Sequence, residues 1–222
     1  MDYRAKGEQV AQTLQNYCNS EDSWKPVKEG KNFKILYRKS SEFDGYIVVF
    51  DYVEPLPDGQ RLKWDKTMKS IEILKQIDSD LRINRACTHS AAMGLISPRD
   101  FVDLIQIKET DEYISTNAVS VDNEKPEDNS HVRGWNYHTA VSIECDEFPP
   151  EKKFVRGWNY CCGIVVFKIS NDPNKCKLVS LIQPDIKGML PKSLVDSTIP
   201  SSMTDFFTQL TKALKDDGEL NE

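Results

Sequence analysis

The stretch that decides the fold is Ser180-Leu181-Ile182-Gln183-Pro184-Asp185-Ile186-Lys187-Gly188-Met189-Leu190-Pro191, with the amphipathic run that follows it to Leu214. It reads as a strand, a Gly/Pro turn and one long closing helix. In that helix Leu194, Val195, Thr198, Ile199, Met203, Phe206, Phe207, Leu210, Ala213 and Leu214 recur at steps of three and four, making one wide apolar stripe. Pro191 suits the first helical turn, where its missing N–H is no loss, and Gly188 supplies the reversal before it. Pro200 falls inside the pattern and predicts a kink, or a restart at Ser201. A stripe this wide needs a sheet to lie on.

Upstream, most of the chain reads as that sheet. Residues 2–18 carry Val10, Leu14, Tyr17 and Cys18 on one helical face. Strands are predicted at 24–27, 33–38, 71–77, 81–89, 101–108, 113–121, 154–170 and 176–182, separated by turns such as Glu29-Gly30-Lys31-Asn32 and Asp78-Ser79-Asp80. Ile47-Val48-Val49-Phe50 also looks like a strand, with Pro-Leu-Pro-Asp-Gly close behind it. A helix, many consecutive strands and a final helix indicate the α+β class with an antiparallel sheet.

One repeat interrupts the pattern. Ala118-Val119-Ser120-Val121 leads to Val132-Arg133-Gly134-Trp135-Asn136-Tyr137, and Ala140-Val141-Ser142-Ile143 leads to Val155-Arg156-Gly157-Trp158-Asn159-Tyr160. Two copies are too few for a solenoid, which needs at least about three. They read as a tandem exon duplication, or as two alternative exons joined in one gene model. The second copy runs directly into Cys161, so it is expected to keep the sheet position. The first, at 122–139, is expected to loop out. The chain is therefore read as one domain over 1–214 with an acidic tail at 215–222.

At 222 residues one substantial core is possible, and a net charge of −6 argues against a nucleic-acid partner. The basic concentration Lys25, Lys28, Lys31, Lys34, Arg38 and Lys39 is read as a solvated strand face rather than a contact with an anionic membrane. The N-terminus has no apolar h-region, and no apolar stretch approaches membrane-spanning length. Six cysteines without a C-x-x-C pair read as reduced thiols, so a soluble cytosolic protein is expected.

Templates for chemistry are missing from the sequence. It has no G-x-S-x-G elbow, no H-E-x-x-H, no phosphate-binding glycine pattern and no cysteines at zinc spacing, so neither cofactor nor metal is expected. His89, beside Thr88 and Ser90 at a strand end, is a structural histidine before it is a general base; His131 and His138 belong to the repeat. Cys161 and Cys162 would point to opposite faces of a strand, which disfavours joint metal binding.

A family resemblance is carried by Ser90-Ala91-Ala92-Met93-Gly94-Leu95-Ile96-Ser97-Pro98-Arg99-Asp100-Phe101-Val102-Asp103-Leu104-Ile105, by Arg156-Gly157-Trp158-Asn159-Tyr160-Cys161-Cys162-Gly163, by Leu62-Lys63-Trp64-Asp65, and by 183–191 with Val195-Asp196. Over nearly its whole length the chain resembles the StAR-related lipid-transfer (START) domain, in its short single-domain subfamily. The resemblance implies a helix-grip fold, in which a curved antiparallel sheet and the C-terminal helix enclose a lipid-sized tunnel. It also implies non-catalytic binding of a sterol, bile acid or related lipid by a cytosolic monomer that touches membranes transiently and binds no nucleic acid. A cavity for such a ligand is typically about 300–1,000 Å³.

The site expectations follow from the resemblance together with strand alternation. Sterol-selective relatives place an acid and an arginine at the positions of Ala86 and Ile105, which here are apolar. If these positions face inward, Asn84, Thr88, Ser90 and Asp103 share their side. Arg61 matches a cavity-lining arginine, and with Asp103 it would make a buried polar end; the other reading is ordinary surface charge. On the helix, Met203, Phe206 and Phe207 are expected to face the ligand. The loop bearing Met93, Gly94 and Leu95 matches the family's mobile loop over the tunnel mouth, either touching membrane or packing on the helix. Relatives have roughly a dozen more residues between the positions of Gly45 and Arg61, enough for one strand or a few helical turns. The strand is expected to survive here and a short helix to be lost, leaving the tunnel open on one side.

Overall fold

The computed structural model describes residues 2–20, 24–30, 33–53, 61–108, 113–114, 137–168 and 176–216. Helix α1 (Tyr3–Asn19) opens the chain, with Asp2 as its N-cap accepting a hydrogen bond from the Ala5 amide at 3.0 Å. Strands β1 (Lys25–Glu29), β2 (Phe33–Lys39) and β3 (Tyr46–Val53) follow, then the single-turn α2 (Arg61–Trp64). Strands β4 (Met68–Asp78), β5 (Leu81–Thr88) and β6 (Arg99–Lys108) come next, with a short 3₁₀ turn at Ala92–Gly94 before β6. The remaining strands are β7 (Tyr113–Ile114), β8 (Tyr137–Ser142), β9 (Val155–Arg156), β10 (Trp158–Asn159), β11 (Cys162–Lys168), β12 (Cys176–Ile182) and β13 (Pro184–Asp185). Helix α3 (Lys192–Asp216) ends the described chain.

The large sheet runs β1-β2-β3-β12-β11-β8-β6-β5-β4. Its pairs are antiparallel except for the short β6–β9 ladder. Strand alternation divides its side chains between two helices. On one face Val10, Ala11 and Leu14 of α1 pack against Leu81, Ile83, Val102, Leu104, Val141, Val165 and Leu181. Gly7 permits this approach, because a Cβ there would lie 2.7 Å from Gln106 Oε1. On the other face Met203, Phe207 and Leu210 of α3 pack against Ile35, Val48, Val166 and Leu178. This is the α+β helix-grip arrangement.

Several expectations change. α3 runs unbroken through Pro200 and does not restart at Ser201. The predicted strand at 154–170 is β9, β10 and β11, because Gly157 interrupts it where a Cβ would strike the Phe101 ring. The strand at 47–50 survives as β3, fully paired between β2 and β12. Cys161 and Cys162 do point apart, one into the α1-side core and the other beside Ile105 and Ala140.

The repeat divides one strand track. β7 pairs with β11 through Ile114 opposite Val166, and β8 pairs with the same edge through Ala140 opposite Cys162. A strand continuing from Ile114 in this register would bring Ala118 opposite Cys162, the place Ala140 takes. Residues 137–139, expected in the looped-out copy, are paired in β8; 115–136 lie outside the described residues.

Candidate ligand-binding site

A cavity of about 710 Å³ lies between the first turns of α3, the β2–β3 end of the sheet and the connection from β13 to α3. Its floor is Tyr37 and Val48, on alternate positions of their strands that face α3. Val195 and Ile199, one helical turn apart, form its roof. Phe43, which stacks on Tyr160 at 4.7 Å, and Tyr46, edge-on to Tyr37 at 5.3 Å, close one side. Ile186, Gly188 and Leu190 close the other.

The rim is charged. Lys192 Nζ lies 3.0 Å from Asp44 Oδ1, and Lys187 Nζ 2.6 Å from Asp185 Oδ2. The hydrogen bond from Lys192 holds the Asp44 carboxyl below its usual range. An apolar interior with a neutralised polar rim accepts an amphipathic ligand and leaves its polar end at the mouth.

Arg99 organises the adjoining loops. Nearly buried at 4 %, its guanidinium donates to the carbonyls of Ile186 (2.9 Å), Lys187 (3.1 Å) and Ser97. It thereby ties the wall before Met189 to the base of the 91–96 loop. Ala91 and Ile96 bridge that loop, and its tip is left-handed at Ala92, Met93 and Gly94 (φ 49°, 53° and 89°). Such a conformation in two non-glycine residues costs on the order of 1–3 kcal/mol each. The loop presents Met93 and Leu95 to solvent, and Met189 is fully exposed on the neighbouring turn.

The expected site residues fall into separate groups. Asn84, Asp103 and Ile105 are buried on the α3 face of the sheet, but they do not line this cavity. Ile105 packs with Ala140 and Cys162. Asp103 accepts from Ser142 Oγ at 2.7 Å and Asn159 Nδ2 at 2.9 Å; the expected pair with the Arg61 side chain lies outside the described residues. Burial pushes its carboxyl up to about 6, against the pull of those two hydrogen bonds and the charge of Arg156. Thr88 Oγ1 accepts from the Arg99 amide at 3.1 Å, while Ser90 lies beyond the strand and is exposed, not on its inner face. Met203 and Phe207 are core, and half-buried Phe206 meets Trp64 edge-on at 5.2 Å; the cavity sits one to two turns earlier in the helix. The backbone of Arg61 begins α2, and its side chain lies outside the described residues.

Sequence reasoning missed the cavity's aromatic wall, although Tyr37 and Tyr46 alternate correctly for it. It counted Val195 and Ile199 in the stripe without assigning them to a ligand. For Ser142 and Asn159 no local signal existed.

A helix-grip protein with a ligand-sized cavity under its closing helix is what these features define. Residues 5–140 and 137–219 match the START domain family model, in two segments that meet within the repeat. StAR-related lipid transfer protein 5 from Mus musculus is 37% identical over 224 residues, spanning 95% of this chain and 94% of that protein. The Homo sapiens protein of that name is 36% identical, spanning 94% and 93%. Its solved human structure superimposes with a TM-score of 0.83 at 32% identity, over 97% of this chain and 98% of that one. The chain belongs to the START domain family.

Proposed function

We propose that the protein binds one lipid, a sterol or bile acid, beneath α3 and carries it between membranes through the cytosol as a monomer, without chemistry. The cavity carries this reading: about 710 Å³ with apolar side chains on its floor and roof, covered on one side by the helix that grips the sheet. At about 0.3 kcal/mol per non-hydrogen atom, a sterol-sized ligand reaches roughly micromolar affinity or somewhat better. That affinity suits a carrier, which must also release. The relatives named as lipid transfer proteins support the same reading.

Met93, Leu95 and Met189 form the surface that would touch a bilayer, and Arg99 couples both of their loops to the cavity wall. His89, the one candidate for acid–base work, is exposed and away from the cavity. Asn84, Thr88 and Asp103 are assigned to the supporting polar structure of the inner face. Arg61 is retained as a ligand contact on the family pattern alone.

Native mass spectrometry of the purified protein, mixed with cholesterol or cholate, tests the proposal. A one-to-one complex with unaltered ligand is expected. Absence of any complex, or turnover of the ligand, would sink it.

A further inference from the structure

The wall of the cavity is anchored on a buried charge. Pro184 and Asp185 of β13 pair with Asn159 and Trp158 of β10, and the wall continues through Ile186, Lys187 and Gly188. β10 in turn is fastened to the sheet by Asn159. Its Nδ2 donates to Asp103 Oδ2 at 2.9 Å, and its backbone N–H donates to Ser142 Oγ at 2.7 Å. The Ser142 hydroxyl donates to Asp103 Oδ1 at 2.7 Å. A continuous line of contacts thus leads from Asp103 on β6 to the residues that enclose the ligand space.

Both hydrogen-bond donors are neutral, and a carboxylate buried without a cation is costly. The described ionisable groups around Asp103 relieve it only in part. On β9, Arg156 acts through space, since its guanidinium is held by Asp100 and the Phe148 carbonyl. Cys162 on β11 is kept as a neutral thiol by burial. Arg82, on the same face of β5, sits opposite Ile105 and one side-chain step from Asn84. Among the described residues none forms an ion pair with Asp103. Directly opposite Asp103, however, lies a buried acceptor with no partner, the Asn84 side-chain oxygen.

We propose that Asp103 is a proton-operated catch on the cavity wall. As a carboxylate it strains the closed wall and favours opening; as an acid it donates its O–H to Asn84 Oδ1 and locks the wall shut. This rests on the reading of the cavity as the lipid site. The sign follows from linkage: the closed state, whose carboxyl is raised to about 6, holds the proton more tightly than an opened, hydrated state near 3.8. Acid therefore closes the wall. Neutral pH loosens it, and the lipid exchanges faster there.

Two measurements on the full chain test this. Backbone hydrogen exchange, corrected for its intrinsic pH dependence, should show residues 157–160 and 185–188 gaining about tenfold protection between about pH 7.5 and about pH 5. The ceiling is about a hundredfold, set by the separation of 3.8 and about 6. Release of dehydroergosterol to phosphatidylcholine vesicles should slow in parallel, and Asp103→Asn should make both profiles flat and slow. Protection that is constant or falls in acid overturns the catch. If dehydroergosterol never binds, the lipid reading fails while hydrogen exchange still decides the catch. If Asp103→Asn does not fold, the carboxyl carbon-13 titration of wild type decides: a midpoint near 6 supports the catch, and one near 3.8 overturns it.

Discussion

At the scale of single residues, the buried Asp103 makes a stability prediction separate from ligand exchange. Its carboxyl is raised to about 6 in the folded chain from an ordinary 3.8. The native state therefore binds more protons than the unfolded chain between these values. The resulting penalty is fully present above the folded value and vanishes below the ordinary one. Asp103→Asn should stabilise the protein at neutral pH by up to roughly 3 kcal/mol and by almost nothing near about pH 3, as read by urea denaturation at both. Equal effects at the two would show that the charge is not the cause. Arg61 is a different case, argued from the family pattern. Arg61→Leu should weaken cholate binding while sparing cholesterol, because a guanidinium is a directional carboxylate partner. Titration calorimetry with both ligands separates this from a structural role, in which both affinities would fall together.

Among the elements, α3 contributes both core and roof. Phe207 is 4 % exposed among Ile35, Val48 and Leu178, whereas Phe206 is half-buried against Trp64. Phe207→Ala should cost about 3–5 kcal/mol and Phe206→Ala distinctly less. Similar losses by thermal denaturation would mean that the helix is rotated from the orientation described. The 91–96 loop tests function without touching the core. Met93 and Leu95 are solvent-exposed, so changing both to Ser should leave stability within about 0.5 kcal/mol. Sterol delivery to vesicles should nevertheless drop, because each apolar side chain lost from the membrane contact forfeits about 1.5–3 kcal/mol at full burial. Unchanged delivery would remove this loop from the membrane contact.

For the molecule as a whole, the repeat is the feature to engineer. Deleting residues 118–139 joins Asn117 to Ala140, and the register of β7 and β8 on β11 predicts one continuous strand across the junction. A slip of one residue would turn every side chain over, and the matched alternation of the two copies guards against it. The deletion should raise the melting temperature or solubility and keep lipid binding, since long polar insertions add little closure entropy but here carry an extra tryptophan, Trp135. A clear fall in melting temperature would show that the β8 pairing made by residues 137–139 is not replaced across the new junction.

The faces of the elements were legible in the sequence, since they depend on local periodicity. The three-and-four spacing along α3 and the two-residue alternation of Arg82, Asn84 and Ala86 follow from helix and strand geometry alone. So did the α+β order, the survival of β3 and the family. Depth along an element was not legible. Whether Val195 and Ile199 or Met203 and Phe207 roof the cavity depends on where the sheet ends beneath the helix, which no local window contains. Nor could spacing pair Asp103 with Ser142 and Asn159, which stand 39 and 56 residues away and meet through strand register and the turn at Gly157. Periodicity is set by neighbouring residues, so within a helix or strand the sequence alone determined which face a side chain takes, though not where the element ends, as Ser90 beyond β5 shows. Contact between distant segments is set by register and packing, so only the tertiary structure decided what each side chain meets.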